Sequence, residues 1–168
     1  VLHSIAGRPM IERVLEAANS LSPSTITLIV GHRSDVVRDK LGKNQNIAFV
    51  LQEPQLGTAH ALQQAEPVLA GRAGSVILLS GDVPLLSPNT LKRLLEMHRG
   101  SGAAATVVTA TVDRPYGYGR IVRSRGRITR IVEERDASPT QRQIKEINSG
   151  IYAFDLAPLF NALRSIAS

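Results

Sequence analysis

Asp82 is the residue of this sequence best placed to do chemistry. It directly follows an apolar run that ends in two small residues, VILLSGD over positions 76–82. Such a run is typical of a strand covered on both faces, and open α/β sheets bind ligands at the carboxyl ends of their strands. A carboxylate there suits Mg²⁺, which takes one or two carboxylates and completes its shell with water and phosphate. The alternative is an aspartate that only shapes a turn.

If that sheet edge binds a nucleotide, other polar residues have chemistry to match. Gln52 offers both a donor and an acceptor, and with the backbone at Gly57 and Thr58 it is suited to reading the edge of a base. The same loop leads into a helix, whose N-terminal N–H groups favour anions or polar ligand edges. Glu133 and Asn148 suit sugar hydroxyls and an acetamido group.

The elements that must position these residues alternate between helix and strand. Apolar spacing and capping residues predict helices after Pro9, Ser34, Gly57, Ser87 and Asp155, with His60 in the first turn of the third taken as structural. Strands are expected over 25–30, 47–51, from Val76, over 104–112 and after Asn148. The pattern predicts an α/β fold with a mostly parallel, doubly wound sheet. A hairpin over 119–132 breaks the alternation, and we expect it to form a flap over the sheet.

Composition limits the classes of protein that fit. The chain has 168 residues, one domain's worth, and carries no cysteine, which excludes disulfides and thiolate metal sites. No apolar run reaches the roughly 18 residues that span a bilayer, and no secretory signal opens the chain, so we expect no membrane partner and a cytoplasmic location. The net charge of +6 falls largely on the hairpin, at Arg120, Arg123, Arg125, Arg127 and Arg130. This alternation predicts a solvated face, and we expect no nucleic-acid partner because no aromatic residues interleave with the arginines.

Five ordered motifs carry a family resemblance over nearly the whole chain: LQEPQLGTAHALQQA, VILLSGDVPLLSPNTL, PYGYGRIVR, IVEERDAS and EINSGIYAF. Together they resemble the uridyltransferase domain of the bacterial bifunctional N-acetylglucosamine-1-phosphate uridyltransferase/glucosamine-1-phosphate acetyltransferase. The resemblance implies a Rossmann-like nucleotide-diphospho-sugar transferase fold. It also implies a cytoplasmic enzyme that joins UTP and N-acetylglucosamine 1-phosphate into UDP-N-acetylglucosamine, a precursor of peptidoglycan and lipopolysaccharide, and pyrophosphate.

The resemblance also assigns roles to residues. It implies that Gln52, Gly57 and Thr58 contact uracil, that Ser80 and Gly81 line the nucleotide pocket, and that Asp82 binds Mg²⁺. Gly119, Glu133 and Asn148 would hold the N-acetylglucosamine group. Ser80 stands where some members have an aromatic residue.

Several parts of the family pattern are not matched by this sequence. The glycine-rich phosphate loop with its arginine and lysine, the first strand, a second metal-binding asparagine and the acetyltransferase domain with its trimer contacts have no counterpart in residues 1–168. We therefore interpret the chain as a partial nucleotidyltransferase domain, predict that it is inactive alone, and expect the parent protein to be a homotrimer. Alternatives are a nucleotidyltransferase for another sugar 1-phosphate and a non-catalytic nucleotide-sugar sensor.

Overall fold

The computed structural model describes residues 1–42 and 46–166. Within them the chain forms, in order, β1 (Ser4–Ile5), β2 (Arg8–Pro9), α1 (Met10–Asn19), β3 (Ile26–Val30), α2 (Ser34–Leu41), β4 (Ile47–Leu51), α3 (Thr58–Gln64), α4 (Glu66–Leu69), β5 (Ser75–Leu78), α5 (Pro88–Ser101), β6 (Ala105–Thr111), β7 (Arg120–Ser124), β8 (Arg127–Val132), α6 (Pro139–Arg142), β9 (Glu146–Asp155) and α7 (Leu156–Ile166). A 3₁₀ turn covers Glu134–Asp136.

The predicted helices form, although Ser34 is the first residue of α2 and not its cap, because Arg33 holds the N-cap position without a side-chain hydrogen bond. Ser87 accepts a hydrogen bond from the backbone N–H of Thr90, and Pro88 occupies the first turn of α5, as the capping pattern predicted. Gly102, in the left-handed conformation, ends that helix. Helix α7 begins directly after Asp155, as predicted, and Asp155 is also the last residue of β9, where its carboxylate lies 3.1 Å from Nε2 of the buried His98.

Strands β3 to β9 form two sheets. Strands β3 and β4 form a parallel pair, while β5, β9, β7 and β8 follow one another in a five-stranded sheet in which β6 also pairs with β9. The long β9 runs antiparallel to β5, β6 and β7. The pairing is therefore mixed where the sequence predicted mostly parallel strands, because β9 enters the sheet in the opposite direction to β5 and β6.

The hairpin β7–β8 also differs from the predicted flap. Strand β7 pairs with β9 through Arg120 and Ile147, so the hairpin extends the sheet itself. The pairing of β7 with β9 places the loop before β7 next to the first half of β9.

Apolar side chains bury three clusters around these sheets. One packs α3, α4 and α7 together, a second packs α1 and α2 on β3 and β4, and a third packs α1 and α5 on β9. A cavity of about 960 Å³ separates β3 from β5, and residues of both strands line it. Among the described residues, β3 pairs only with β4 and β5 only with β9, so each has one edge without a strand partner. Open strand edges of this kind favour association with another strand.

Across residues 1–42 and 46–166, we find no helix with the length and hydropathy that a membrane span requires.

Candidate functional site

Five of the residues predicted to contact a nucleotide line the same cavity between β3 and β5: Gln52, Gly57, Thr58, Ser80 and Gly81. Gln52 continues the parallel pair beyond β4, because its backbone N–H donates to the Val30 carbonyl at 2.7 Å. Ser80 and Gly81 follow the end of β5. The segments that follow β4 and β5 therefore line the same cavity.

The loop after β4 is organised around Gly57. Its φ of +96° lies in the region that favours glycine, and its carbonyl accepts from the Ala61 N–H at the start of α3. The same carbonyl accepts a hydrogen bond of 3.0 Å from the Gln52 side-chain nitrogen. Gln52 is therefore tied to the beginning of the helix that follows it.

Asp82 lies directly after the cavity-lining Gly81 and is exposed. Within the described chain its carboxylate takes part in no ion pair, and no group of three or more His, Cys, Asp or Glu side chains gathers in a metal-binding arrangement. One carboxylate with open access fits Mg²⁺ that draws its remaining ligands from substrate phosphates and water. It does not fit a metal held by protein ligands alone.

Strand register directs the segment that leads from β5 to Asp82 toward the same edge of the sheet as Asn148. Leu78 of β5 pairs with Tyr152 of the antiparallel β9. Asp82 lies four residues after Leu78 and Asn148 lies four residues before Tyr152, so both lie beyond that pair in the same direction. Within β9 this displacement amounts to about 13 Å of strand.

Gly119, Glu133 and Asn148 come together on the β7–β9 side of the site. The Asn148 backbone N–H donates to the Gly119 carbonyl at 2.8 Å. A Cβ placed on Gly119 would lie 3.2 Å from Glu133 Oε1 and 3.5 Å from Asn148 Cβ. The three residues that the sequence assigned to the sugar thus form one cluster, in which the absence of a side chain at Gly119 leaves room for the Glu133 carboxylate.

The Asn148 amide has a fixed orientation. Its Oδ1 accepts hydrogen bonds from the Tyr152 hydroxyl at 2.8 Å and from the Gly150 N–H at 3.0 Å. Burial raises the pKa of Tyr152, while its bond to Asn148 opposes that change and the charge of Glu133 adds to it. With the oxygen occupied, the Asn148 NH₂ group is the part of the amide left to face a ligand.

Arg120 holds the loop next to this cluster. It is 2% exposed, in contrast to the solvated face predicted for the hairpin arginines. Its guanidinium donates to the Tyr118 carbonyl and, at 2.5 Å, to Glu134 Oε2, which also accepts from the Gly117 N–H at 3.3 Å. One charged pair therefore joins the neighbours of Gly119 to the neighbour of Glu133.

Sequence reasoning missed Tyr152 and the inward turn of Arg120. Tyr152 lies four residues after Asn148 within a strand, so the two side chains share one face; that spacing is a signal the sequence contains. The burial of Arg120 had no comparable signal, because it depends on how the hairpin meets β9 and the 3₁₀ turn.

Comparisons with known proteins identify the family of the chain. The family model "Nucleotidyl transferase" matches residues 1–167. The chain is 48% identical to the bifunctional protein GlmU of Pelobacter propionicus over an alignment of 169 residues, covering 100% of this chain and 37% of that protein. It is 50% identical to GlmU of Trichlorobacter lovleyi over 157 residues, covering 93% of this chain and 34% of that protein. The chain thus spans about a third of the length of these curated relatives.

Solved structures support the fold. A UDP-glucose pyrophosphorylase complexed with UDP-glucose matches with a TM-score of 0.74 at 17% identity, covering 97% of this chain and 70% of that chain. HddC from Yersinia pseudotuberculosis matches with a TM-score of 0.71 at 20% identity, covering 95% and 68%. The nucleotide-diphospho-sugar transferase fold expected from the sequence is confirmed, and the chain belongs to the nucleotidyl transferase family.

Proposed function

We propose that the protein transfers a uridylyl group from UTP to N-acetylglucosamine 1-phosphate. An oxygen of the sugar phosphate attacks the α-phosphorus of UTP, and the bond from that phosphorus to the bridging oxygen of the departing pyrophosphate breaks. The electron pair of the broken bond leaves with pyrophosphate, and UDP-N-acetylglucosamine remains. Identity of 44–50% to GlmU proteins supports a sugar-phosphate uridylyltransferase, and the choice of N-acetylglucosamine 1-phosphate rests on the motif resemblance and on the sugar cluster.

The observation that carries the proposal is the orientation of the Asn148 amide. Tyr152 and Gly150 occupy its oxygen, so its NH₂ group is available to donate to an acetamido carbonyl. Glu133, whose carboxylate can only accept hydrogen bonds when ionised, lies beside Gly119, whose carbonyl accepts a hydrogen bond from the Asn148 backbone, and suits sugar hydroxyls. The cluster therefore offers a donor and an acceptor at neighbouring positions, as an N-acetylated sugar requires.

The remaining residues fit the nucleotide. Gln52, Gly57 and Thr58 would contact the uracil ring, and Ser80 and Gly81 would line the same cavity. Asp82 would hold Mg²⁺ together with the substrate phosphates. Bound there, Mg²⁺ would neutralise phosphate charge during the transfer. Inactivity of the isolated chain and a trimeric parent protein stay predictions.

The test compares N-acetylglucosamine 1-phosphate with glucose 1-phosphate as acceptors for UTP in the full-length protein, with pyrophosphate release as the readout. We expect the N-acetylated substrate to be preferred. Asn148→Asp replaces the NH₂ donor by an acceptor oxygen of the same size and lowers kcat/KM for the N-acetylated substrate by about ten- to a hundredfold, as the loss of a buried hydrogen bond implies. Asn89→Asp makes the same chemical change on the exposed start of α5 and serves as the control.

Two results would contradict the proposal. A full-length protein that prefers glucose 1-phosphate would show that the Asn148 cluster recognises a different sugar. Equal losses for both sugars in a folded Asn148→Asp variant would show that Asn148 supports the sheet and does not contact the acetamido group.

A further inference from the structure

His60 contacts the amide of Gln52 as well as its own helix. Its Nδ1 lies 3.0 Å from Gln52 Nε2, and its Nε2 lies 3.1 Å from the amide nitrogen of Gln64, one turn further along α3. The ring is partly buried between the two amides. Both ring nitrogens are thus engaged, which leaves His60 without a nitrogen to act as an acid or base on a substrate.

Hydrogen-bond chemistry fixes which way the Gln52 amide points. The Gly57 carbonyl, 3.0 Å away, can only accept, so the amide nitrogen must face it. The second hydrogen of the same nitrogen then points to His60 Nδ1, which must accept and therefore carries no proton. The ring proton then lies on Nε2, which faces the Gln64 amide nitrogen at 3.1 Å. Two nitrogens that both carry hydrogens cannot bond to each other, so we assign the Gln64 amide turned by 180°, with its oxygen accepting from His60 Nε2.

Both hydrogens of the Gln52 amide are consequently in use, one on Gly57 and one on His60. Its Oε1 is the remaining polar atom, and it can only accept. Gln52 lines the cavity between β3 and β5. The site therefore presents an acceptor to the base at this position.

An acceptor distinguishes two kinds of pyrimidine. The ring nitrogen N3 of uracil carries a hydrogen and donates, while N3 of cytosine carries a lone pair and accepts. Facing cytosine, Gln52 Oε1 would place two lone pairs against each other, or the amide would have to turn and give up both of its bonds to the protein. A site that hydrogen-bonds one partner rejects the analogue that leaves its polar group unpaired.

We propose that His60 is a positioning residue that holds the Gln52 amide with its oxygen outward and so selects uracil over cytosine. The proposal rests on the proposed function, because it takes Gln52 as a base contact. His60 need not touch the nucleotide. It acts through one hydrogen bond to the Gln52 amide, and the hydrogen bond from Gln52 to the Gly57 carbonyl holds the same amide from its other side.

Three substitutions at one position separate this role from a packing role. His60→Asn keeps an acceptor oxygen near the place of Nδ1, His60→Gln puts its polar group near the place of Nε2, and His60→Leu removes both. His3→Leu, at an exposed histidine, is the matched control. The readout is the ratio of kcat/KM for UTP to that for CTP in the full-length protein, with KM for the sugar 1-phosphate measured alongside.

We expect His60→Leu and His60→Gln to lower the UTP-to-CTP ratio by about five- to tenfold, the value of one hydrogen bond. His60→Asn should recover most of the ratio, and KM for the sugar phosphate should not change. A ratio that is unaffected in a folded His60→Leu variant, or that falls equally in His60→Asn, would overturn the proposal.

A second measurement does not depend on turnover. Nitrogen-15 NMR of the unliganded protein reports which ring nitrogen of His60 carries the proton, and we expect it on Nε2. A proton on Nδ1 would overturn the proposal whatever the kinetics show. If the wild-type protein uses neither UTP nor CTP while the NMR result is as expected, the proposed function fails and the His60–Gln52 bond stands.

Discussion

Gly119→Ala tests whether the sugar cluster depends on the space that a missing side chain leaves. Gly119 has no positive φ, so alanine meets no backbone strain there. Its Cβ, however, would lie 3.2 Å from Glu133 Oε1, 3.2 Å from Ile131 Cγ2 and 3.5 Å from Asn148 Cβ. The first two distances are tighter than ordinary van der Waals contact, so the Glu133 carboxylate has to move by a few tenths of an ångström.

The size of the effect follows from what the carboxylate does. A hydrogen bond to a charged group contributes about 1.5–3 kcal/mol, and about 1.4 kcal/mol corresponds to a factor of ten in rate. Displacing Glu133 from a sugar hydroxyl should therefore lower kcat/KM for the sugar 1-phosphate by about ten- to a hundredfold. The added methyl group should cost about 1–3 kcal/mol of stability, because Ile131 must also adjust.

The assay varies the sugar 1-phosphate at saturating UTP in the full-length protein, and thermal unfolding of the same samples reports stability. Gly100→Ala is the matched control, since Gly100 lies within α5 and a Cβ there meets nothing within 4 Å. We expect this control to retain activity and to gain about 0.5–1 kcal/mol of stability. An unchanged kcat/KM in a folded Gly119→Ala variant would refute the reasoning, because it would mean that the Glu133 carboxylate does not contact the substrate.

Three further predictions concern the groups around this cluster. Arg120→Met should destabilise the protein by about 1.5–3 kcal/mol in chemical denaturation, because it removes a charged hydrogen bond from Glu134, which keeps Arg142 at 3.9 Å; a double variant with Glu134→Met that recovers none of the loss would contradict this. The hydrogen bond from Arg123 holds the pKa of Glu146 below its usual 4.5, so stability present above that pH should be lost as the pH falls through the lowered value. Glu146→Gln should flatten this acid limb of the melting temperature, and an unaltered limb would count against it. Tyr152→Phe should raise KM for the N-acetylated substrate several-fold through the loss of one hydrogen bond, with unchanged KM as the contrary result. Since burial raises the pKa of Tyr152, the unfolded chain ionises first, and the same variant should also lose less stability than wild type above about pH 10.

Local sequence signals predicted the elements well because those elements depend on neighbouring residues. The proline at the start of α5 and the serine before it fix where that helix begins, and the structure has both in their expected roles. The hairpin predicted over 119–132 turns at Arg125 and Gly126, both of which adopt positive φ, and a glycine there is a local turn signal. In these segments each residue's partner lies within a few positions along the chain.

Strand direction and burial were harder to predict because they depend on distant partners. Nothing within residues 146–155 indicates that β9 runs antiparallel to both β5 and β6, which lie about 75 and 40 positions earlier. Arg120 likewise looks like one more arginine on an alternating hairpin, and its burial depends on pairing with Ile147 of β9 and on Glu134 of the 3₁₀ turn. Such features follow from the assembled sheet, in which a carboxylate lies close enough to pair with the buried guanidinium.

The two amides of the candidate site show most clearly what the sequence alone leaves open. Gln52 and Asn148 each carry a donor and an acceptor, so the residue type does not say which end a ligand meets. In the structure, Gly57 and His60 take the hydrogens of Gln52, while Tyr152 and Gly150 take the oxygen of Asn148. The first amide is left with an acceptor and the second with donors. A uracil N–H group matches the acceptor of Gln52, and an acetamido carbonyl matches the donors of Asn148. A ligand with the opposite hydrogen-bonding group at either position would leave a protein group unpaired.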